Sequence, residues 1–329
     1  MIAGLKYLLV RGYYTDLFRK FFFIFIAVSL FCLNCCTGNV ERDSEVLSRN
    51  IVETVNGIIY EFKGNKNTLV FYLEGSGLHS VLGVKKNDGW SHRTFSFFVI
   101  KYFNAFADVV VIEKPKMKPG KDHSTDGEVL VAYTSSNLID HYSVMIDDYL
   151  DKSDAKQVVI FGYSEGGMLA PAVYRNLKNS DRINKLVIGG AGGMSQYEQF
   201  MVLAESYVKM PDKYRLECRD IQRVRSRVRT FPDSIEFSFL GLPYRRWNSF
   251  FDFSPADYYA NIEIPVLFYH GTFDWSVPVE STSMLEKLYP DKNFNFMYID
   301  KMQHVPEDDK GMSDLFRRLS AWVTDGAIN

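Results

Sequence analysis

Short apolar β-type runs alternating with helix-period segments predict an α/β fold, with a mostly parallel central sheet flanked by helices. Three observations carry this expectation. Residues 68–73 (TLVFYL), 108–113 (DVVVIE), 157–161 (QVVIF), 185–188, 266–269 and 293–299 are near-continuous runs of strand formers, as in sheets covered on both faces. Between them lie segments with helical spacing, such as Leu138, Tyr142, Met145, Ile146 and Tyr149. The composition (329 residues, 47% hydrophobic, 24% charged) supplies enough apolar surface for a large core and excludes a disordered chain.

In chain order, residues 52–62 read as strand, turn, strand, because Asn56-Gly57 supplies the positive φ values of a tight hairpin. Helices are expected at 94–106, 137–150, 165–177, 279–288 and 309–323. The 72 residues 192–263, between two predicted strands, far exceed an ordinary connection of about 4–6 residues. They are expected to form an inserted, largely helical lid within a core of 51–191 and 264–329. Residues 213–230 hold seven Lys or Arg against two acids, and 231–259 hold ten aromatics. The aromatics either wall an apolar pocket, with Trp247 among them, or pack the lid onto the core. The basic residues form either a solvated face or a surface for anionic substrate or lipid headgroups.

Residues 21–33 form a 13-residue uncharged run preceded by Arg11, Arg19 and Lys20. That is short for a bilayer span of about 20 residues but suits the apolar part of an export signal. The alternatives are an uncleaved anchor or a buried helix. Leu33-Asn34-Cys35-Cys36 resembles a bacterial lipoprotein signal, although the small residue that usually precedes the lipidated Cys is missing. Residues 1–36 are thus expected to be an export signal or membrane anchor and 37–50 a tether, in an exported, membrane-attached or periplasmic protein. Three of the four cysteines fall in the address segment, leaving Cys218 alone, so no internal disulfide is expected. With 38 Lys and Arg against 40 Asp and Glu, there is no electrostatic ground for binding nucleic acid.

The chemistry concentrates at strand ends. Gly162-Tyr163-Ser164-Glu165-Gly166 follows a β-run and opens a helix, which is the setting of a Gly-x-Ser-x-Gly nucleophile elbow. A sharp turn presents the Ser hydroxyl above the sheet, only small flanking residues leave room, and the backbone N–H of Glu165 can face an oxyanion. Asp274 lies beyond the 266–269 strand, and His304 beyond the 293–299 strand. With this Ser, Asp, His order the chain resembles the α/β-hydrolase superfamily from about residue 52 to residue 323. The resemblance implies Ser164 as nucleophile, His304 as general base and acid, and Asp274 as the carboxylate orienting the imidazole.

Glu74-Gly75-Ser76-Gly77 follows the 68–73 strand and resembles the family's His-Gly-x-Gly loop, with Glu74 where His is common. By position Ser76 supplies the second oxyanion N–H, Gly75 and Gly77 allow close approach of substrate, and Glu74 brings a charge near the site. His79 is expected at the pocket mouth, Tyr163 as a substrate-binding residue, and His270 at a strand end just before the acid loop, shaping that turn; His92, His123 and His141 read as surface or structural. No metal-ligand spacing is present, and the implied mechanism requires no cofactor. The expected function is a serine hydrolase (carboxylesterase or serine peptidase) cleaving a small-molecule ester or a peptide through an acyl-enzyme. The competing readings are an acyltransferase on the same triad and a non-catalytic binding protein of the same fold.

Overall fold

The computed structural model describes residues 51–64, 67–86, 89–90 and 94–327. The expected address segment, the tether and His92 lie outside the described residues. The chain runs through β1 (Ile51–Glu53), β2 (Ile58–Phe62), β3 (Thr68–Leu73), a small hairpin of β4 (Lys85–Lys86) and β5 (Gly89–Trp90), and α1 (Phe95–Phe103). It continues through β6 (Asp108–Ile112), α2 (Gly127–Ala132), α3 (Ser135–Leu150), β7 (Gln157–Tyr163), α4 (Glu165–Asn176) and β8 (Lys185–Gly189). Next come α5 (Gln196–Glu205), α6 (Asp212–Arg219), α7 (Ile221–Thr230), the strands β9 (Ser238–Phe239) and β10 (Leu242–Pro243), α8 (Tyr244–Phe251) and α9 (Ala256–Tyr259). The chain then returns to β11 (Val266–Gly271), α10 (Glu280–Leu288), β12 (Phe294–Ile299) and α11 (Asp309–Asp325).

Eight strands form one sheet in the order β1-β2-β6-β3-β7-β8-β11-β12. Only the β1–β2 and β2–β6 pairs are antiparallel; the other five pairs are parallel. The inner strands read as continuous apolar runs because alternate residues enter two separate cores. Leu69, Phe71 and Leu73 of β3 face one cluster, and Val70 and Tyr72 the other. The same alternation runs through β7, with Val158 and Ile160 on one side and Val159, Phe161 and Tyr163 on the other. The first cluster is covered by α3, α4 and the 192–263 insertion; the second is covered by α1 and by Met312, Leu315, Phe316, Leu319 and Trp322 of α11.

The chain moves outward from β3 to β6, then crosses back to β7 on the other side of β3. Such a reversal opens a crevice at the carboxyl ends of the strands. The pairings Leu73↔Gly162, Tyr163↔Gly189 and Gly271↔Ile299 bring the loops after β3, β7, β8, β11 and β12 along this one edge. β7 runs two residues past its predicted end, because Gly162 and Tyr163 still pair with Ile188 and Gly189. The turn at Ser164 therefore starts directly from the sheet.

The insertion consists of α5–α9 and the β9–β10 hairpin, and its aromatics mainly take the packing role. Phe250, Phe251, Tyr259, Trp247, Tyr244 and Phe239 are buried, whereas Phe231 and Phe237 are exposed. Its basic residues are only partly a solvated face. Arg215 donates to the carbonyls of Ser206 (2.6 Å) and Val208 (2.8 Å), and Arg225 bonds Asp252 while stacking on the Tyr197 ring.

Candidate active site

Ser164 has φ 53° and ψ −117°, a strained setting for a non-glycine residue, between a strand and a helix. The two flanking glycines are required by backbone crowding. A Cβ at Gly162 would lie 2.4 Å from the Gly166 carbonyl oxygen, and one at Gly166 only 2.1 Å from that of Leu73. The Ser164 N–H donates to the Gly189 carbonyl (2.8 Å), and its own carbonyl accepts the first α4 bond from Met168 (2.9 Å).

Asp274 and His304 meet at the same edge. His304 Nδ1 lies 2.6 Å from Asp274 Oδ2, so Nδ1 carries the proton in the neutral ring and Nε2 is left as the basic nitrogen. The other carboxylate oxygen accepts the N–H groups of Ser276 (2.8 Å) and Val277 (2.9 Å). Burial by itself pushes the Asp274 carboxyl up, but His304 and His270 hold it far below the usual carboxylate range. His270 is fully buried near the end of β11, just before the acid loop, bound to Thr282 Oγ1 (2.7 Å) and the Val277 carbonyl (3.0 Å). The two loops are laced together by Phe273 N–H on the Met302 carbonyl and Trp275 Nε1–H on Gln303.

Gly190 brings the imidazole to the elbow. Its φ is +53°, and a Cβ there would stand 2.8 Å from His304 Cε1, one residue beyond the Gly189 carbonyl that holds Ser164. Among the described residues Ser164 Oγ has no hydrogen-bond partner, so a Ser164–His304 bond is not formed. Tyr163 does not open onto the crevice as a pocket residue. Its ring is buried, stacks on Phe95 (4.1 Å between centroids), and its hydroxyl donates to the His304 carbonyl (3.3 Å), which makes it a support for the His304 loop.

On the other side of Ser164 lies the loop after β3. A Cβ at Gly75 would be 3.2 Å from Ser164 Cβ and 3.7 Å from Oγ, so the loop backbone passes directly beside the hydroxyl. Three successive N–H groups have different fates. That of Gly75 donates to Glu74 Oε1 (2.8 Å), and that of Gly77 to the Tyr133 hydroxyl (2.9 Å). Only the Ser76 N–H has no partner among the described residues. The Glu165 N–H, at the start of α4, is likewise unpaired there. His79 lies against this loop, its Nε2 3.1 Å from the position of a Gly77 Cβ.

Glu74 does not bring an open charge to the site. Its buried carboxylate accepts from the Tyr72 hydroxyl and the N–H groups of Gly75 and Ser96, and burial raises its pKa. Trp247 likewise sits in the packing of the insertion, its Nε1–H on the Phe239 carbonyl (2.7 Å) and its ring among Phe200, Phe239 and Phe251.

Sequence reasoning missed a buried ionic group under the loop. Lys114, Glu165 and Arg246 are 3%, 2% and 0% exposed. Arg246 Nη2 lies 2.6 Å from Glu165 Oε2, and Lys114 Nζ lies 3.5 Å from Glu165 Oε1. Burial pushes the Glu165 carboxyl up, but Lys114 and Arg246 outweigh it and hold it below its ordinary value. A charged Glu-Lys pair closing the apolar run at 108–112 was the available signal for Lys114. A separate cleft of about 660 Å³ on the insertion, lined by residues including Met201, Arg215, Cys218 and Gln222, contains none of these groups. Burial pushes the Cys218 thiol up to about 12, which leaves it a poor nucleophile.

A protein-family model described as "Serine hydrolase (FSH1)" matches residues 126–313, the stretch that carries Ser164, Asp274 and His304. No curated protein sequence matches the chain. Among solved structures the chain is similar to a lipase in its open form, with a TM-score of 0.56 and 15% identity over 83% of this chain and 97% of that one. It is similar to the esterase Est1E of Butyrivibrio proteoclasticus, solved with ferulic acid, at 0.55 and 15% over 83% and 96%. It is also similar to mouse alpha/beta hydrolase domain-containing protein 10, at 0.52 and 12% over 84% and 98%. The fold is that of the α/β-hydrolases.

Proposed function

The chain belongs to the FSH1 serine hydrolase family, and on that premise we propose that Ser164, His304 and Asp274 act as its catalytic triad. The observation that carries the reading is the Asp274–His304 pair at 2.6 Å, on the same sheet edge as a serine held at positive φ. His304 Nε2 takes the Ser164 proton as Oγ attacks the substrate carbonyl. The developing oxyanion is met by the N–H groups of Ser76 and Glu165, the two left unpaired beside Oγ. Protonated His304 then gives its proton to the leaving oxygen or nitrogen as the carbon–heteroatom bond breaks. A water, deprotonated in turn by His304, releases the acid and restores Ser164.

The substrate class is a carboxylic ester or an amide. Short and long p-nitrophenyl esters compared with aminoacyl amides separate the two. Labelling of Ser164 by a fluorophosphonate tests the mechanism itself: Ser164→Ala abolishes both labelling and turnover, and a Ser164→Ala protein that retains turnover overturns the triad.

Two further parts of the reading concern the rest of the chain. Residues 192–263, connected in sequence between β8 and β11, serve as a lid over the carboxyl edge of the sheet. Residues 1–36 export the protein and attach it to a membrane, with Cys35 or Cys36 as the lipidated residue, and 37–50 form the tether. The uncharged 13-residue run behind a basic flank supports this. Mass spectrometry of the N-terminal peptide checks it: a diacylglycerol adduct on cysteine is expected, and an unmodified, intact N-terminus in the soluble fraction overturns it.

A further inference from the structure

We propose that Lys114, Glu165 and Arg246, with Tyr133, form a positioning device that ties the 192–263 insertion to the oxyanion-binding peptide between Gly75 and Ser76. The inference rests on the reading of Ser76 as an oxyanion donor. Lys114 Nζ donates to the carbonyls of Gly75 (2.6 Å) and Gly77 (3.2 Å) and to the Tyr133 hydroxyl (3.2 Å), which uses its three protons. The Tyr133 hydroxyl is equally spent: it accepts from Lys114 and from the Gly77 N–H, and donates to Glu165 Oε1 (2.7 Å). Arg246 closes the chain from α8. Its guanidinium is held over the rings of Trp247 and Phe250 (4.2 and 3.9 Å to the centroids), bonded to Gln196 of α5 and to Glu165.

The physical consequence lies in one planar peptide. The Gly75 carbonyl and the Ser76 N–H belong to the same trans amide and point in opposite directions. Holding the carbonyl on buried Lys114 therefore aims the N–H away from the ammonium, toward the side left for the oxyanion. A cationic donor on the carbonyl also polarises the amide, which strengthens its N–H as a donor. Glu165 supplies a second donor through its backbone while its side chain anchors Lys114 and Arg246. Both oxyanion donors are thus set by one ionic cluster, and one member of that cluster belongs to the insertion. Displacement of α8 would release Glu165 from Arg246 and leave its charge to Lys114 alone, loosening the grip on the Gly75 carbonyl.

The test is steady-state hydrolysis of p-nitrophenyl butyrate together with inhibition by phenylboronic acid, whose tetrahedral serine adduct places an oxygen at the oxyanion position. Loss of a whole oxyanion donor costs about 100- to 1000-fold. Misaiming one donor is expected to cost less, so Lys114→Met should lower kcat about 10- to 100-fold, change KM less than about threefold, and raise the boronate Ki in step with kcat. Arg246→Met should lower kcat about tenfold and Arg246→Lys should recover most of it. Tyr133→Phe, which keeps the ring and removes only the hydroxyl, gives a kcat loss of about tenfold and stands in for Lys114→Met if that variant does not fold. Variants with reduced thermal midpoints but unchanged kcat and boronate Ki overturn the inference, because a purely structural cluster would behave that way. Ser164→Ala measured alongside keeps the outcomes apart. An active Ser164→Ala removes the underlying mechanism, whereas an inactive one beside a fully active Lys114→Met and Tyr133→Phe removes only the positioning role.

Discussion

The two sides of Ser164 are built from different interactions. On the His304 side, one buried carboxylate is satisfied by two backbone N–H groups and faces two imidazoles, and the reacting ring itself is only partly covered. On the Ser76 side, Lys114 and Arg246 are fully enclosed; Lys114 Nζ is held on two carbonyls and a hydroxyl, and Arg246 Nη2 on the Glu165 carboxylate. The contrast follows from what each side must do. In the proposed mechanism His304 gains and loses a proton in every turnover, which calls for a neighbour that stabilises its charged form without removing it from the crevice. The proposed oxyanion donors must keep a fixed direction, and the Gly75 carbonyl on Lys114 and the Glu165 side chain on Arg246 supply that anchoring.

Substitutions on the two sides should differ in size and in character. Ser164→Ala removes the proposed nucleophile common to both and should reduce ester turnover by about 10,000-fold or more, measured under single-turnover conditions. Asp274→Asn should follow, with a loss of about 1000- to 10,000-fold in kcat, because an amide presented to Nδ1 no longer selects the productive tautomer. If Asp274→Asn keeps wild-type kcat, His304 is not oriented as the 2.6 Å contact implies. Gly75→Ala should act by crowding, since its Cβ would come 3.2 Å from that of Ser164; a drop in kcat of about tenfold with a near-normal melting temperature is expected.

The smallest effect is on acid stability, and its sign differs within the site. Asp274 and Glu165 have lowered pKa values, so the folded protein binds fewer protons there than the unfolded chain. Their contribution is present above the unfolded values of about 4 and is lost progressively as pH falls below them. Glu74 and Glu113, raised chiefly by burial, act oppositely: their ionisation opposes folding near neutral pH, and that cost fades as pH falls through their raised values. Thermal midpoints recorded from pH 7 to pH 3 should therefore decline most steeply below about pH 4, and Asp274→Asn should flatten that limb. An unchanged limb in Asp274→Asn would assign acid loss elsewhere.

The strands were legible because burial on both faces leaves a sheet strand almost no polar residue, and each run from 68–73 to 293–299 is flanked by turn residues. Their ends were less so. β7 reaches Tyr163 only because β8 continues beside it, and α1 stops at Phe103, where the next residue, Asn104, turns its side-chain amide to the Phe62 carbonyl. The six-residue α2 and the two-residue hairpin strands are too short to show a period. Within the candidate site, Ser164, Asp274 and His304 stood out through order and position. The packing of Trp247 and Tyr163 is not legible in sequence, because an aromatic looks the same there whether it faces substrate or packs inward. The burial of Glu74 leaves no sequence signal, since its three donors come from Tyr72, Gly75 and Ser96 and two of them are backbone groups.

By itself the sequence determined the layered α/β architecture, the glycine-flanked serine and the order of the polar residues that follow it, since these depend on local periodicity and turn sterics. Only the tertiary structure decided which N–H groups remain free beside Ser164 and which charges are buried beneath them. Lys114 meets Gly75 across 39 residues and Arg246 meets Glu165 across 81, and no local pattern records such meetings. A charged residue on an aromatic-rich helix is read as exposed until the fold supplies a partner that makes its burial tolerable.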